Sequence, residues 1–160
     1  MVHKDEIHEF FQCLGEIWRD VTRLEFLMRV AIARHDGEID KFPMPPYKKE
    51  KFYSSYPKSF SHYSFAIIRE KFNKRFPKVQ IPLELVIFRD AMAHGAIFDI
   101  NHEGIERLVK FKEINSETKE GKTEKQLKIE FELPLEIKTL KKLKSSIHDL
   151  CIHVQNLAKD

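Results

Sequence analysis

The helical part of the fold is decided by residues 5–34, DEIHEFFQCLGEIWRDVTRLEFLMRVAIAR. Apolar side chains recur here at alternating spacings of three and four residues, which is the repeat of one helix face. They are Ile7, Phe10, Leu14, Ile17, Val21, Leu24, Met28 and Ala31. The pattern predicts one long amphipathic helix that packs against another helix. Gly37 comes next and is expected to end this helix in the left-handed conformation.

The next stretch is residues 41–60, KFPMPPYKKEKFYSSYPKSF, which contains four prolines. Proline lacks a backbone donor and restricts the residue before it, so a continuous helix is excluded and a long loop or a pair of short turns is expected. A second helix is predicted from Ser59 to Arg75. A third begins with Pro82 in its first turn and ends at Gly95.

After the third helix, apolar residues recur at every second position, which is the repeat of a β-strand. Residues 125–133, KQLKIEFEL, alternate between apolar and polar side chains, and residues 105–114, IERLVKFKEI, are the expected partner strand. This pattern predicts a β-hairpin with one face covered by the rest of the protein. The face expected to be covered carries Leu127, Ile129, Phe131 and Leu133. A last amphipathic helix is predicted from Leu135 to Ala158.

The predicted fold class is therefore mainly α: an antiparallel helical bundle of about four helices, with a β-hairpin inserted between the third and the last helix. Its 160 residues are expected to form a single domain. Cys13 and Cys151 both fall in predicted helices, where two free buried thiols are expected, with a disulfide as the alternative. No apolar run approaches the roughly 20 residues that cross a bilayer, so we expect a cytoplasmic protein with no membrane partner.

Eight histidines raise the question of a metal site. The sequence has no HExxH and no CxxC motif, and His148 and His153 point to different sides of a helix. It also lacks a glycine-rich phosphate loop and a GxSxG motif. We therefore expect no metal and no cofactor, and histidines that lie on the surface or form hydrogen bonds in the core.

Positive charge is concentrated in residues 41–78, which hold ten lysines or arginines and two glutamates, a net charge of +8. Aromatic residues are interleaved with these lysines, and rings can stack on unpaired bases while the cations neutralise phosphates. The segment is therefore a candidate RNA-binding surface. The candidate residues are Lys48, Lys49, Lys51, Lys58, Arg69, Lys74 and Arg75. The alternative is a loop whose aromatics are anchored in the core and whose lysines are simply solvated.

Three polar residues interrupt an otherwise apolar segment, IFRDAMAHGAIF, residues 87–98. On a helix, Arg89 and His94 differ by a rise of roughly 7.5 Å and a rotation of about 140°, so they flank a ridge and do not form a pair by themselves. A histidine can transfer protons and an arginine offers a forked cation for a phosphate. Asp90 could hold either one in place. The alternative is structural: His94 satisfies the last carbonyls of the helix, and Arg89 and Asp90 are surface charges.

The segment RDAMAHG resembles the Arg-x(4–6)-His signature of the HEPN superfamily, whose members often read Arg-Asn-x-x-Ala-His-Gly. Arg89, Ala93, His94 and Gly95 match that pattern, and Asp90 replaces the usual asparagine. The position of the motif at the end of the third helix of a small helical bundle also fits. HEPN proteins that partner a minimal nucleotidyltransferase often carry a tyrosine two residues after the histidine, and this chain has Ala96 there.

The resemblance implies a metal-independent endoribonuclease of the toxin or defence kind. It implies a homodimer in which the motifs of two protomers meet in one cleft, with Arg89 and His94 as catalytic residues and Asp90 in support. The RNA 2′-hydroxyl would attack the adjacent phosphorus and leave a 2′,3′-cyclic phosphate. The alternative is a non-catalytic HEPN-like binding or assembly module, with an antitoxin or a defence-system protein as its partner.

Overall fold

A computed structural model of the chain describes residues 4–38, 63–98, 106–117 and 123–159. Four helices and three strands follow one another in the order α1, α2, α3, β1, β2, β3, α4. They are α1 (Lys4–His35), α2 (Phe65–Arg75), α3 (Leu83–His94), β1 (Ala96–Phe98), β2 (Arg107–Glu117), β3 (Thr123–Pro134) and α4 (Ile137–Lys159). The prediction of a mainly α fold with four helices and a hairpin between the third and the last is confirmed.

The seam predicted on α1 forms the centre of the core and packs chiefly against α4. Ile17, Val21, Leu24 and Met28 of α1 are fully buried, and so are apolar residues on one face of α4. The latter are Leu140, Ile147 and Val154. Both cysteines lie in this interface and are free thiols, as expected. Burial raises the pKa of the Cys151 thiol to about 11, which keeps it protonated at neutral pH.

The direction of α4 along α1 differs from the antiparallel packing expected for the two long helices. Lys141 forms an ion pair with Glu9 at 2.5 Å, and Lys144 forms one with Glu16. Fourteen residues beyond Lys141, Gln155 accepts a hydrogen bond from Arg23 at 2.8 Å. Because contacts advance along both helices together, α1 and α4 run parallel. Antiparallel packing follows from short connections, and here α2, α3 and the whole sheet come between the two helices.

The ends of α1 and α2 are fixed by local hydrogen bonds. Gly37 has φ 71°, and the N–H groups of Gly37 and Glu38 donate to the carbonyls of Arg34 and Ala33, which is a Schellman motif. The left-handed cap predicted for Gly37 is therefore confirmed. Helix α2 begins at Phe65, later than predicted, because the Ser64 hydroxyl caps it by accepting from the Ile67 N–H at 3.4 Å. The first residues of the predicted helix, 59–62, lie outside the described ranges.

The three strands form one antiparallel sheet in the order β1-β2-β3. The β2–β3 hairpin was predicted, and β1 was not. The ladder shifts register after Lys110: Lys110 pairs with Phe131 and Phe111 with Ile129, which leaves Glu130 as an extra residue on β3. This is a β-bulge.

Only the inner half of the hairpin is covered, which corrects the prediction for its outer half. Phe131 and Leu133 pack against the core, and the Phe131 ring meets that of Phe88 edge to face at 6.3 Å between centroids. Leu127 and Ile129 lie on the same strand but nearer to the turn of the hairpin, and both are exposed. The 11 residues of β2 span about 36 Å and the 12 residues of α3 only about 18 Å, so α3 is too short to cover the whole hairpin. Among the described residues, no helix is long and apolar enough to span a bilayer.

Candidate active site on the third helix

Helix α3 ends at His94 because the backbone of β2 lies directly against Gly95. Gly95 donates its N–H to the Ala91 carbonyl at 2.6 Å and has φ −83°, an ordinary value for any residue. A Cβ at this position would collide with the Ala91 oxygen and lie 2.7 Å from the Val109 oxygen. Gly95 ends the helix as predicted, and close packing is what requires a glycine here. The chain then continues as β1, which pairs with β2.

This ending leaves His94 on the surface at the last position of α3, with its side chain 67% exposed. Its Nε2 atom lies 3.7 Å from Oδ1 of Asp90, one turn earlier on the helix. That separation is longer than a hydrogen bond. The imidazole is therefore accessible to a ligand and has one nearby carboxylate that can orient it.

Arg89 belongs to a different group of charges, on the side of α3 that faces α1. Its Nη2 atom lies 3.8 Å from Oε2 of Glu25, whose other oxygen accepts from Arg29 at 2.7 Å. Arg29 in turn donates to the backbone carbonyl of Tyr63 at 2.7 Å. The Nε atom of Arg89 is buried and has no hydrogen-bond partner. This buried atom is out of reach of a ligand, but the side chain as a whole is 32% exposed and its Nη2 atom is beyond hydrogen-bond distance of Glu25. The Nη groups therefore keep donor capacity for a ligand.

Asp90 is held by a lysine from the sheet. Lys110 of β2 donates to Oδ2 of Asp90 and lies 2.6 Å from Oε2 of Glu130. The hydrogen bond that Lys110 donates to Asp90, and secondly the one that it donates to Glu130, raise the pKa of the lysine. The lysine therefore stays charged and joins the hairpin to the end of α3.

The structure thus separates the residues singled out by the motif into two clusters. Arg89 lies with Glu25 and Arg29, whereas Asp90 and His94 lie with Lys110 and Glu130. The Asp90 carboxylate lies beside the His94 ring, whereas the Arg89 guanidinium lies beside Glu25. As the helical spacing indicated, Arg89 and His94 of one chain flank the helix and do not form a pair.

Glu25 and Lys110 were missed by the sequence reasoning. Both approach α3 from other parts of the chain, α1 and β2, and nothing in the local sequence marks them. Lys110 was assigned to a strand, but its contact with Asp90 depends on how the sheet packs against α3, which the alternation does not reveal.

The predicted RNA-binding residues fall into three groups. The first group lies outside the described residues and consists of Lys48, Lys49, Lys51 and Lys58. Arg69 donates to the Ile81 carbonyl at 2.7 Å. The Nε and Nη2 atoms of Arg75 donate to the two carboxylate oxygens of Asp36, at 2.7 and 2.5 Å. The Arg75 guanidinium lowers the pKa of Asp36 to about 2. Lys74 is exposed. Arg69 and Arg75 therefore have structural partners, and Lys74 is the more accessible cation of these three.

The solvent-facing side of α3 carries apolar residues beside Asp90 and His94. Leu83 is 52% exposed, Ala93 is exposed, and Val86 and Ile87 are half-buried. Within the described part of the chain, no group of three or more histidine, cysteine, aspartate or glutamate side chains is placed to hold a metal ion.

Comparisons of the chain with protein-family models, with curated proteins and with solved structures found no match.

Proposed function

We propose that this protein is a metal-independent endoribonuclease of the HEPN type, toxin- or defence-like, which cleaves RNA in a cleft between two copies of the chain. The observation that carries the proposal is the end of α3. It presents an exposed imidazole, His94, and an arginine, Arg89, whose side chain is 32% exposed and whose Nη2 atom lies 3.8 Å from Glu25, beyond hydrogen-bond distance. A proton-transfer group and a phosphate-binding cation are the two components that this reaction needs.

The reaction is a transesterification within the RNA. The ribose 2′-oxygen forms a bond to the adjacent phosphorus, and the bond from phosphorus to the 5′-oxygen of the next nucleotide breaks. One imidazole accepts the 2′-hydroxyl proton, and a protonated imidazole gives a proton to the leaving 5′-oxygen. Arg89 stabilises the charge that develops on the phosphoryl oxygens. The products are a 2′,3′-cyclic phosphate and a 5′-hydroxyl, and DNA is not a substrate because it lacks the attacking group.

A homodimer resolves the separation of Arg89 and His94 within one chain. On the side of α3 that continues into Asp90 and His94, Leu83 is exposed and Ile87 is half-buried in the single chain. A second copy packed on this side across a two-fold axis would place the imidazole of one chain near the motif of the other. Each phosphate could then be approached by groups from both protomers.

The experiment is an RNA cleavage assay in EDTA that compares the wild type with His94→Ala, after both are shown to fold and dimerise. His153→Ala is the matched control, since His153 is an exposed histidine on a different helix, α4. We expect cleavage with cyclic-phosphate ends by the wild type and the control, and a loss of at least about 100-fold in His94→Ala. Equal cleavage by all three proteins would contradict the proposal, and so would its absence across several RNAs.

A second candidate function is a non-catalytic binding or assembly module, with an antitoxin or a defence-system protein as its partner. The exposed outer half of the hairpin favours this alternative. Phe111, Leu127 and Ile129 are 42%, 71% and 39% exposed there, and such grouped apolar side chains are typical of protein contacts. A His94→Ala variant that folds, dimerises and keeps every measurable activity would support this candidate.

A further inference from the structure

The β-bulge in the hairpin lies where the sheet contacts the candidate active site. The β2–β3 ladder shifts between Lys110 and Phe111, and the extra residue opposite them is Glu130. Bulges redirect side chains and are frequent beside functional sites. Here the bulge lies beside Lys110, whose ammonium pairs with two carboxylates, Glu130 from its own sheet and Asp90 from α3.

Asp90 is the position at which this chain departs from the HEPN pattern. A carboxylate there brings a negative charge close to the place where a phosphate would bind, which opposes binding. Lys110 supplies the opposite charge directly on Oδ2 of Asp90, and the other oxygen, Oδ1, is the one that lies 3.7 Å from His94 Nε2. One carboxylate thus connects the lysine on one side with the imidazole on the other.

We propose that Lys110 is a positioning residue of the ribonuclease site, which fixes the Asp90 carboxylate beside His94 and offsets its negative charge. This inference rests on the function proposed above. Lys110 acts on the imidazole through Asp90 and does not itself contact the reacting atoms. Glu130 binds the same ammonium from the sheet side. Two carboxylates therefore fix the position of the ammonium before a ligand arrives.

The alternative role for Lys110 is direct contact with a phosphate of the RNA. The geometry favours positioning because two carboxylates already bind the ammonium, and its side chain is only 21% exposed. A lysine that binds phosphate from a flexible arm would be expected to be more exposed. The two roles also differ in measurable ways, since a phosphate contact contributes to affinity and a positioning residue contributes to the turnover rate.

The first test does not depend on cleavage. Long-range proton–nitrogen NMR spectra of the histidine rings, with the His94 signals assigned from a His94→Gln variant, report the tautomer and surroundings of that ring. We expect Lys110→Met to move the His94 signals and Lys110→Arg to restore most of the wild-type spectrum. Lys125→Met is the matched control, because Lys125 lies on the same hairpin and pairs with Glu113 at 2.8 Å, away from α3. Unchanged His94 signals in Lys110→Met would overturn the proposal.

The second test measures turnover and affinity separately. We expect Lys110→Met to lower kcat about 10- to 100-fold and to change the Kd for RNA with 2′-O-methyl groups by less than about threefold. In an Asp90→Asn background, Lys110→Met should change kcat by less than about threefold, since the charge that the lysine offsets is gone. If Lys110→Met lowers the affinity for RNA and leaves kcat unchanged, Lys110 contacts a phosphate. If Lys110→Met lowers kcat equally in the wild-type and Asp90→Asn backgrounds, its role does not depend on Asp90. Either outcome overturns the proposal that Lys110 is a positioning residue.

The two tests together separate this inference from the proposed function. If the wild type cleaves no RNA while the His94 signals still respond to Lys110→Met and not to Lys125→Met, the ribonuclease proposal fails and the positioning of His94 by Lys110 stands. If the wild type cleaves RNA and Lys110→Met behaves like the control in both measurements, the ribonuclease stands and the inference about Lys110 fails. Thermal unfolding of each variant establishes that it is folded.

Discussion

At the scale of single residues, Gly95 shows how close packing can require a particular residue at a motif position. The glycine that follows His94 was expected to end α3, and it does. Its backbone has an ordinary φ, and what excludes a side chain is the approach of two carbonyl oxygens, one from α3 and one from β2. The residue beside His94 is therefore a packing contact between the helix and the sheet.

Gly95→Ala is expected to lower the free energy of unfolding by about 1–3 kcal/mol, because the new methyl group meets backbone atoms that cannot move independently. Gly15→Ala is the matched control: a methyl group there would have nothing within 4 Å, so the change should be neutral or raise stability by about 0.5–1 kcal/mol through helix propensity. Urea denaturation of both variants measures the two values. A Gly95→Ala protein as stable as the wild type would show that β2 can move away from α3.

The site residues divide into those a local pattern can reveal and those it cannot. Arg89, Asp90 and His94 stand within six residues of one another, and their separation on the helix followed from its geometry. Glu25 and Lys110 come from elements distant in the chain, and their approach to α3 depends on tertiary packing. For the basic residues, the charge pattern made Arg69 and Arg75 candidates for RNA binding, but it did not reveal that each has a partner inside the protein.

At the scale of elements, the strongly periodic segments were predictable and the short or long-range features were not. The seam of α1 and the alternation of β3 extend over many residues, so each identifies its element. Strand β1 has three residues, which is too short for an alternation to be recognised, and it exists because β2 offers it a partner. The parallel direction of α4 depends on the path of the intervening chain, which a local repeat does not encode.

The ion pair between Asp36 and Arg75 joins the C-terminal ends of α1 and α2 and gives an element-scale prediction. The folded pKa of Asp36, about 2, is below its value in the unfolded chain. The pair therefore contributes stability above the unfolded pKa of about 3.9, and this contribution is lost as the pH falls through the folded pKa. Asp36→Asn should cost about 1–2 kcal/mol at pH 7 after allowance for solvent screening.

The measurement is urea denaturation of the wild type and Asp36→Asn between pH 7 and pH 2. We expect the difference in the free energy of unfolding to shrink steadily below about pH 4. Glu113→Gln, which removes the exposed pair with Lys125, is the control and should change stability by less than about 0.5 kcal/mol at pH 7. A difference that stays constant down to pH 2 would exclude the ion pair as its source.

At the scale of the whole molecule, the proposed dimer makes a prediction about the exposed side of α3. Leu83→Glu places a charge on the surface proposed to be covered by the second copy, so it should give monomers and abolish cleavage, although Leu83 is 11 residues before His94. Ile152→Glu, on an exposed position of α4, should leave both unchanged. Sedimentation and the cleavage assay measure the outcome. A dimer in Leu83→Glu would mean that the two copies meet elsewhere.

The pairing of α1 with α4 has a consequence for the synthesis of the chain. The contacts between them join residues such as Asp20 and Cys151, which lie 131 positions apart. When the ribosome makes the protein, at about 5–20 residues per second, the apolar seam of α1 emerges early and has to wait several seconds for its principal partner. During that interval α1 is the segment most exposed to aggregation and to chaperones. Folding is therefore expected to complete only after α4 has left the ribosome, and slowly for a mainly helical domain.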